Sequence, residues 1–118
     1  MFEKARNTGL LLKDIQTSIT RIFDYTKGYS FDAYEFDNKT KDAVERNFEI
    51  IGEAASRIPD SFKEERPQIE WRIIKDFRNF IIHDYFGIND QILWDTIQYR
   101  LPDLLKEITI LSEKIADE

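Results

Sequence analysis

The stretch Lys75-Asp76-Phe77-Arg78-Asn79-Phe80-Ile81-Ile82-His83-Asp84-Tyr85-Phe86-Gly87 gathers the residue types in this chain best suited to chemistry. It holds the only histidine of the sequence, with an arginine five residues before it and a tyrosine two after it. On an ideal helix each residue turns by about 100°. Asn79 and His83, four apart, therefore share nearly one face, and Arg78 and Tyr85, seven apart, share the neighbouring one. The four side chains can converge on one edge of the helix end.

Such a group suits attack on phosphate. Histidine gives or takes a proton near neutral pH. Arginine stays charged, and its planar fork matches phosphate oxygens. RNA supplies its own nucleophile, the 2′-hydroxyl beside the scissile phosphate. An imidazole can take that proton or protonate the leaving oxygen, while a guanidinium stabilises the charge growing on the phosphorane. The scheme requires neither metal nor cofactor. One histidine, no cysteine and no tight carboxylate cluster make a metal centre a poor reading of the same residues. Each residue also has an ordinary structural use. A lone histidine at a helix end commonly caps it, an arginine pairs with a carboxylate, and a tyrosine lies half-buried with a wet hydroxyl.

The rest of the chain must position these groups, and its pattern is helical. Leu11, Ile15, Ile19 and Ile22, joined by Leu12 and Phe23, predict a first helix over about 7–27, stopped near Gly28. The aromatic segment Tyr29–Asp37 has no clear period and reads as a connection with one short helical turn, its aromatics serving as core plugs. Asn38 offers a side-chain cap for a second long helix over about 39–57. There Val44, Phe48, Ile51, Ala55 and Ile58 form the cleanest apolar seam of the chain. Ala43, Ala54 and Ala55 leave room for a neighbouring helix. Gly52 costs roughly 1 kcal/mol relative to alanine inside a helix, so it marks either a close helix contact or a tolerated defect. Pro59 ends this helix.

A polar link over about 60–70 follows, with Asp60 and Ser61 as possible caps and Pro67 as a breaker. A third helix over about 70–83 carries Trp71, Ile74, Phe77 and Ile81 inward, widened by Ile73 and Phe80, and ends in the His83 motif. Asn89 can cap a fourth. Leu93, Ile97, Leu101, Leu104, Ile108, Leu111 and Ile115 keep the period to the end, interrupted by Pro102, which either kinks one helix or opens another. No segment alternates with period two for long enough to make a convincing strand. The expectation is an all-α, up-and-down bundle of four to five helices in one domain spanning 1–118.

Composition narrows the function classes. The chain has 118 residues, enough for a core without metal or disulfide staples, and no cysteine. No apolar run approaches the roughly 20 residues of a spanning helix, and Met1–Arg6 lacks the pattern of a signal peptide. A soluble, cytoplasmic protein with no membrane partner is expected. The formal net charge of −6 argues against broad, non-specific nucleic-acid binding, yet leaves room for a small basic pocket and suits a basic partner protein.

Arg78-(four residues)-His83-Asp84-Tyr85 resembles the Arg-x4–6-His signature of the HEPN superfamily, in the Arg-x4-His-x-Tyr form of the HepT-like toxins, the DUF86 family. Glu45-Arg46-Asn47-Phe48-Glu49-Ile50-Ile51-Gly52-Glu53-Ala54 is similar to that family's second-helix block. Trp71, Ile74 and Phe77-Arg78-Asn79 resemble its lead-in. Tyr85-Phe86-Gly87-Ile88-Asn89, Leu93-Trp94-Asp95-Thr96-Ile97 and Leu101-Pro102 resemble its tail.

The resemblance implies a HEPN-like homodimer whose two motifs line one cleft. It implies a metal-independent ribonuclease toxin of a type VII-like toxin–antitoxin pair. Arg78 and His83 would be catalytic, with Asn79, which matches the polar residue common after the motif arginine, positioning. Tyr85 would be the acceptor of AMP added by a cognate minimal nucleotidyltransferase antitoxin. The added charge and bulk would lie where RNA phosphate should sit. Arg72 and Lys75 read as a possible basic edge or as solvated charge. Glu53 reads as a possible orienter of Arg78 or His83 or as a surface carboxylate. A non-enzymatic helical module that binds a nucleotide or the nucleotidyltransferase is the alternative function.

Overall fold

The apolar steps of three and four residues are realised as helices. The computed structural model describes residues 7–82 and 89–116, with side chains at 7–78 and 89–116, and among these every regular element is helical. In chain order they are α1 (Thr8–Thr26), α2 (Phe31–Glu35), α3 (Asn38–Arg57), α4 (Asp60–Glu64), α5 (Trp71–Ile82), α6 (Asp90–Tyr99) and α7 (Leu101–Ala116). The architecture is the all-α, HEPN-like bundle expected. Its long members are α1, α3, α5 and α7, with α2, α4 and α6 as shorter pieces. None of the described helices is long and apolar enough to cross a membrane.

α3 is the centre of the arrangement: it packs against both α1 and α5, and α7 packs against α1. The predicted stripes face inward along the described side chains; Phe80 and Ile81 of the third predicted stripe lie outside them. Leu11, Leu12, Ile15, Ile19 and Ile22 of α1 are buried, as are Val44, Phe48, Ile51 and Ala55 of α3 and Trp71, Ile74 and Phe77 of α5. Leu93 and Ile97 of α6, with Leu101, Ile108 and Leu111 of α7, complete the same core. Each fully buried aliphatic or aromatic side chain contributes about 1.5–3 kcal/mol, so these stripes dominate the stability of the bundle.

Several boundaries correct the sequence expectation. The cap of α3 is Asp37, not Asn38, which becomes the first helical residue. The Asp37 carboxylate accepts from the Thr40 N–H at 3.0 Å and the Thr40 hydroxyl at 2.8 Å. It also accepts from the Tyr29 hydroxyl at 2.6 Å, a partner that only the folded chain supplies. These bonds hold the Asp37 carboxyl below its ordinary range, the Tyr29 contact most strongly.

The polar link contains the single-turn α4, and neither Asp60 nor Ser61 caps it; Pro59 occupies the cap position without a side-chain bond. The aromatic connection does form a short helix, α2. Its Tyr34 is a core plug, 5.4 Å from the Trp94 ring, whereas Phe36 is 83% exposed and plugs nothing. At the last proline, α6 ends at Tyr99 and Pro102 is the second residue of a new helix, where its missing N–H is no loss. The Arg100 N–H closes α6 on the Thr96 carbonyl at 3.0 Å.

The start of α5 is tied down by ring contacts. The Trp71 Nε1–H donates to the Arg66 carbonyl at 3.0 Å. The Arg66 guanidinium lies 3.8 Å over the Phe62 ring, which in turn meets Trp71. α5 therefore starts from a fixed point on the preceding turn.

Candidate active site

α5 carries Arg78 one residue past Phe77, a buried core residue. Phe77 stands edge-on to Phe48 of α3, ring centroids 5.1 Å apart. The next residue, Arg78, meets the flank of α3 at Gly52. A Cβ added at Gly52 would lie 2.7 Å from the Arg78 Cβ, 2.9 Å from its backbone N and 3.2 Å from its Cα. Of the two meanings open for this glycine, the close helix contact is the one realised. No side chain fits between the helices where the arginine departs.

The residue after Gly52 completes the contact. Glu53 Oε1 lies 3.1 Å from Arg78 Nη1. Its other oxygen, Oε2, accepts from Arg57 Nε at 3.1 Å. The Arg78 side chain is 46% exposed. It lines a groove of about 380 Å³ between α1, α3 and α5, together with Asp14, Arg46, Glu49, Glu53 and Arg57. Three guanidinium groups and three carboxylates thus line one groove. A larger groove of about 610 Å³ lies on another flank, between the start of α5 and α7, lined by Ile69, Ile73, Phe77 and Leu104, and Arg78 takes no part in it.

The helix that follows the motif is pinned from the same scaffold. Asn89 caps α6, accepting from the Ile92 N–H at 3.2 Å. Lys41 Nζ of α3 meets Asp90 Oδ2 at 2.8 Å, with both side chains largely covered. It also donates to the Glu35 carbonyl at 3.2 Å. The Asp90 hydrogen bond is the main cause of the raised Lys41 pKa. Burial pushes the Tyr34 hydroxyl pKa up as well, reinforced by the carboxylates of Glu45 and Asp90. The two helices flanking residues 83–88 are each fixed to α3, one through Gly52 and Glu53, the other through Lys41.

Arg78 is the predicted site residue whose side chain is described. The α5 backbone carries Asn79 one step on, with its side chain outside the described residues. His83 and Tyr85 lie outside them too, and so does the expected convergence of the four groups. Arg72 and Lys75 are exposed on α5, six and three residues before Arg78. Among the described residues no group of three His, Cys, Asp or Glu side chains is placed to hold a metal ion. Glu53, left between two readings by the sequence, sits against the motif arginine. Its signal was adjacency: a carboxylate directly after a mid-helix glycine follows wherever that glycine draws a second helix.

These features define a class: an all-helical bundle that presents a half-exposed arginine, five residues ahead of a histidine, on the helix seated across a glycine. The sequence model described as "Ribonuclease HepT-like" matches residues 15–111. The chain is 38% identical over 107 residues to "Putative RNase MJ0127" of Methanocaldococcus jannaschii, covering 91% of this chain and 88% of that one. It is 41% identical over 93 residues to "Probable ribonuclease HepT" of Thermococcus cleftensis, covering 79% and 84%. It is also 35% identical over 104 residues to "Putative RNase TTE0752" of Caldanaerobacter subterraneus, covering 88% and 89%. No solved structure gives a significant match. The chain belongs to the HepT-like ribonuclease family of the HEPN superfamily.

Proposed function

We propose that this protein is a metal-independent endoribonuclease, the toxin of a type VII-like toxin–antitoxin pair in the cytoplasm. The observation that carries the reading is Arg78: a guanidinium half open to solvent, set on a seated helix, in a chain of a ribonuclease family. The RNA 2′-oxygen attacks the adjacent phosphorus and the bond to the 5′-oxygen breaks, leaving a 2′,3′-cyclic phosphate and a 5′-hydroxyl. His83 takes the 2′-hydroxyl proton or delivers one to the leaving oxygen. Arg78 binds the phosphate and stabilises the charge that builds on it. Asn79 positions, and two copies of the chain line one cleft. A cognate minimal nucleotidyltransferase silences the site by adding AMP to Tyr85, placing a phosphate where the RNA phosphate would bind.

The test is incubation of the purified protein with RNA in EDTA, followed by analysis of the new ends. Cyclic phosphate ends, lost in His83→Ala while the far-ultraviolet circular dichroism spectrum stays helical, are the expected result. Full cleavage by His83→Ala would remove the imidazole from the mechanism. Intact RNA with wild-type protein, together with measurable nucleotidyltransferase affinity, would favour the binding-module alternative.

A further inference from the structure

We infer that Glu53 is a positioning residue, which aims the Arg78 guanidinium at the scissile phosphate. The inference rests on the ribonuclease reading above and extends it to a residue on another helix. Its basis is geometric. The glutamate spans two arginines, one oxygen 3.1 Å from Arg78 Nη1 and the other 3.1 Å from Arg57 Nε. The Arg57 contact restrains the carboxylate within α3, four residues along the helix. The Arg78 contact crosses to α5 at the point where Gly52 admits no side chain. The carboxylate engages one Nη of a guanidinium that carries five N–H donors, so the rest of the fork can meet phosphate oxygens.

Magnitude argues for aim over stability. Glu53 and Arg78 are 42% and 46% exposed, and Arg57 is 56% exposed. Ion pairs this open contribute little to folding. Holding a long, flexible arginine in one direction is a different matter, because only correctly placed charge stabilises a transition state. A bias worth one exposed pair corresponds to a factor of up to about five in the population of the aimed rotamer. RNA seated over the pair removes water and strengthens it. The carboxylate also repels the RNA phosphates, so its presence beside a phosphate-binding arginine works against ground-state affinity.

This opposition supplies a signature. Glu53→Ala lowers kcat about five- to tenfold, with KM unchanged or reduced, because repulsion is removed along with aim. Glu53→Gln keeps an acceptor for Arg78 Nη1 and regains part of kcat. In an Arg78→Lys background the ammonium is a point charge without a fork to align, so adding Glu53→Ala changes kcat less than twofold. A loss of folded protein would lower activity equally in both backgrounds and would show in the thermal unfolding curve. Equal losses in the two backgrounds, or a Glu53→Ala kcat within twofold of wild type, overturn the inference while leaving the ribonuclease reading intact. Wild-type protein that leaves RNA uncut overturns both. A readout independent of turnover is rotation of the Arg78 guanidinium by nitrogen-15 NMR. It is slower in the wild type than in Glu53→Ala, and identical rotation in the two also overturns the inference.

Discussion

Gly52→Ala separates seating of the site from stability of the fold. The added methyl would lie 2.7 Å from the Arg78 Cβ and 2.9 Å from its backbone N. Ordinary contacts between carbon atoms lie at about 3.5–4.0 Å, so relief takes a displacement of roughly 1 Å. Two of the three opposing atoms belong to the α5 backbone, and no rotamer change moves them. Either α5 retreats from α3 or both helices bend apart at this point. Overpacking of this kind costs about 1–3 kcal/mol. Alanine offsets about 1 kcal/mol of it through its better helix propensity at a helix-interior position. The net destabilisation expected is about 0–2 kcal/mol, small beside the core formed by Phe48, Ile51, Ile74 and Phe77.

The site feels the shift more sharply. A displacement of about 1 Å at a group that must meet a transition state can cost about 100-fold in rate. It would also part Arg78 Nη1 from Glu53 Oε1, now at 3.1 Å. Two measurements on the same preparation decide the matter: the urea midpoint of unfolding and the rate of RNA cleavage. The expected pattern is a modest fall in the midpoint with an unchanged slope, and cleavage reduced about 10- to 100-fold. A Gly52→Ala protein that cleaves at the wild-type rate and is about 1 kcal/mol more stable would refute the reasoning, because it would show that alanine gained its propensity without meeting Arg78.

Two further perturbations test the scaffold around the motif. Lys41→Met keeps the aliphatic stem but leaves the Asp90 carboxylate without its ammonium, and should destabilise by about 2 kcal/mol in urea unfolding. The folded-state pKa of Lys41 is raised from 10.5, so its stabilisation is present below that value and fades as pH climbs through the folded one. The stability gap between wild type and Lys41→Met should therefore narrow in strong alkali; a gap that does not narrow argues against the pair. At the acid end, the folded-state pKa of Asp37 is lowered from 3.8. Its stabilisation is present above that value and is lost as pH falls through the folded one. Melting temperatures of wild type and Asp37→Asn should thus differ near neutrality and converge on acidification, and parallel curves would show that the carboxylate cap does not matter.

What the sequence made legible follows from how far each signal reaches. Burial of Leu11, Ile15, Ile19 and Ile22 is a property of one helix face, and the apolar spacing alone predicts it. The same holds for Val44, Phe48, Ile51 and Ala55. Caps were harder because Asp37 and Asn38 are both good cap residues. The choice between them was made by Tyr29, eight residues away, whose hydroxyl bonds Asp37. The proline at 102 was ambiguous for a related reason. Both a kink and a new first turn satisfy the local rules, and the packing of α6 against α2 and α7 distinguishes them.

The candidate site shows the limit most plainly. Spacing from Arg78 to His83 says which groups one helix can bring together, and that part is visible in the chain. It does not say what presses on the arginine from the neighbouring helix. Gly52 and Glu53 meet Arg78 across the α3–α5 contact, next to the edge-on pair of Phe77 and Phe48. A weak, exposed ion pair would mean little on an open helix surface. Beside a glycine that fixes the α5 backbone to within a methyl's width of α3, the same pair starts from a defined Cα and can select a direction. Backbone approach sets where the guanidinium begins and the carboxylate sets where it points. Neither alone would hold a positive charge steady in front of a phosphate.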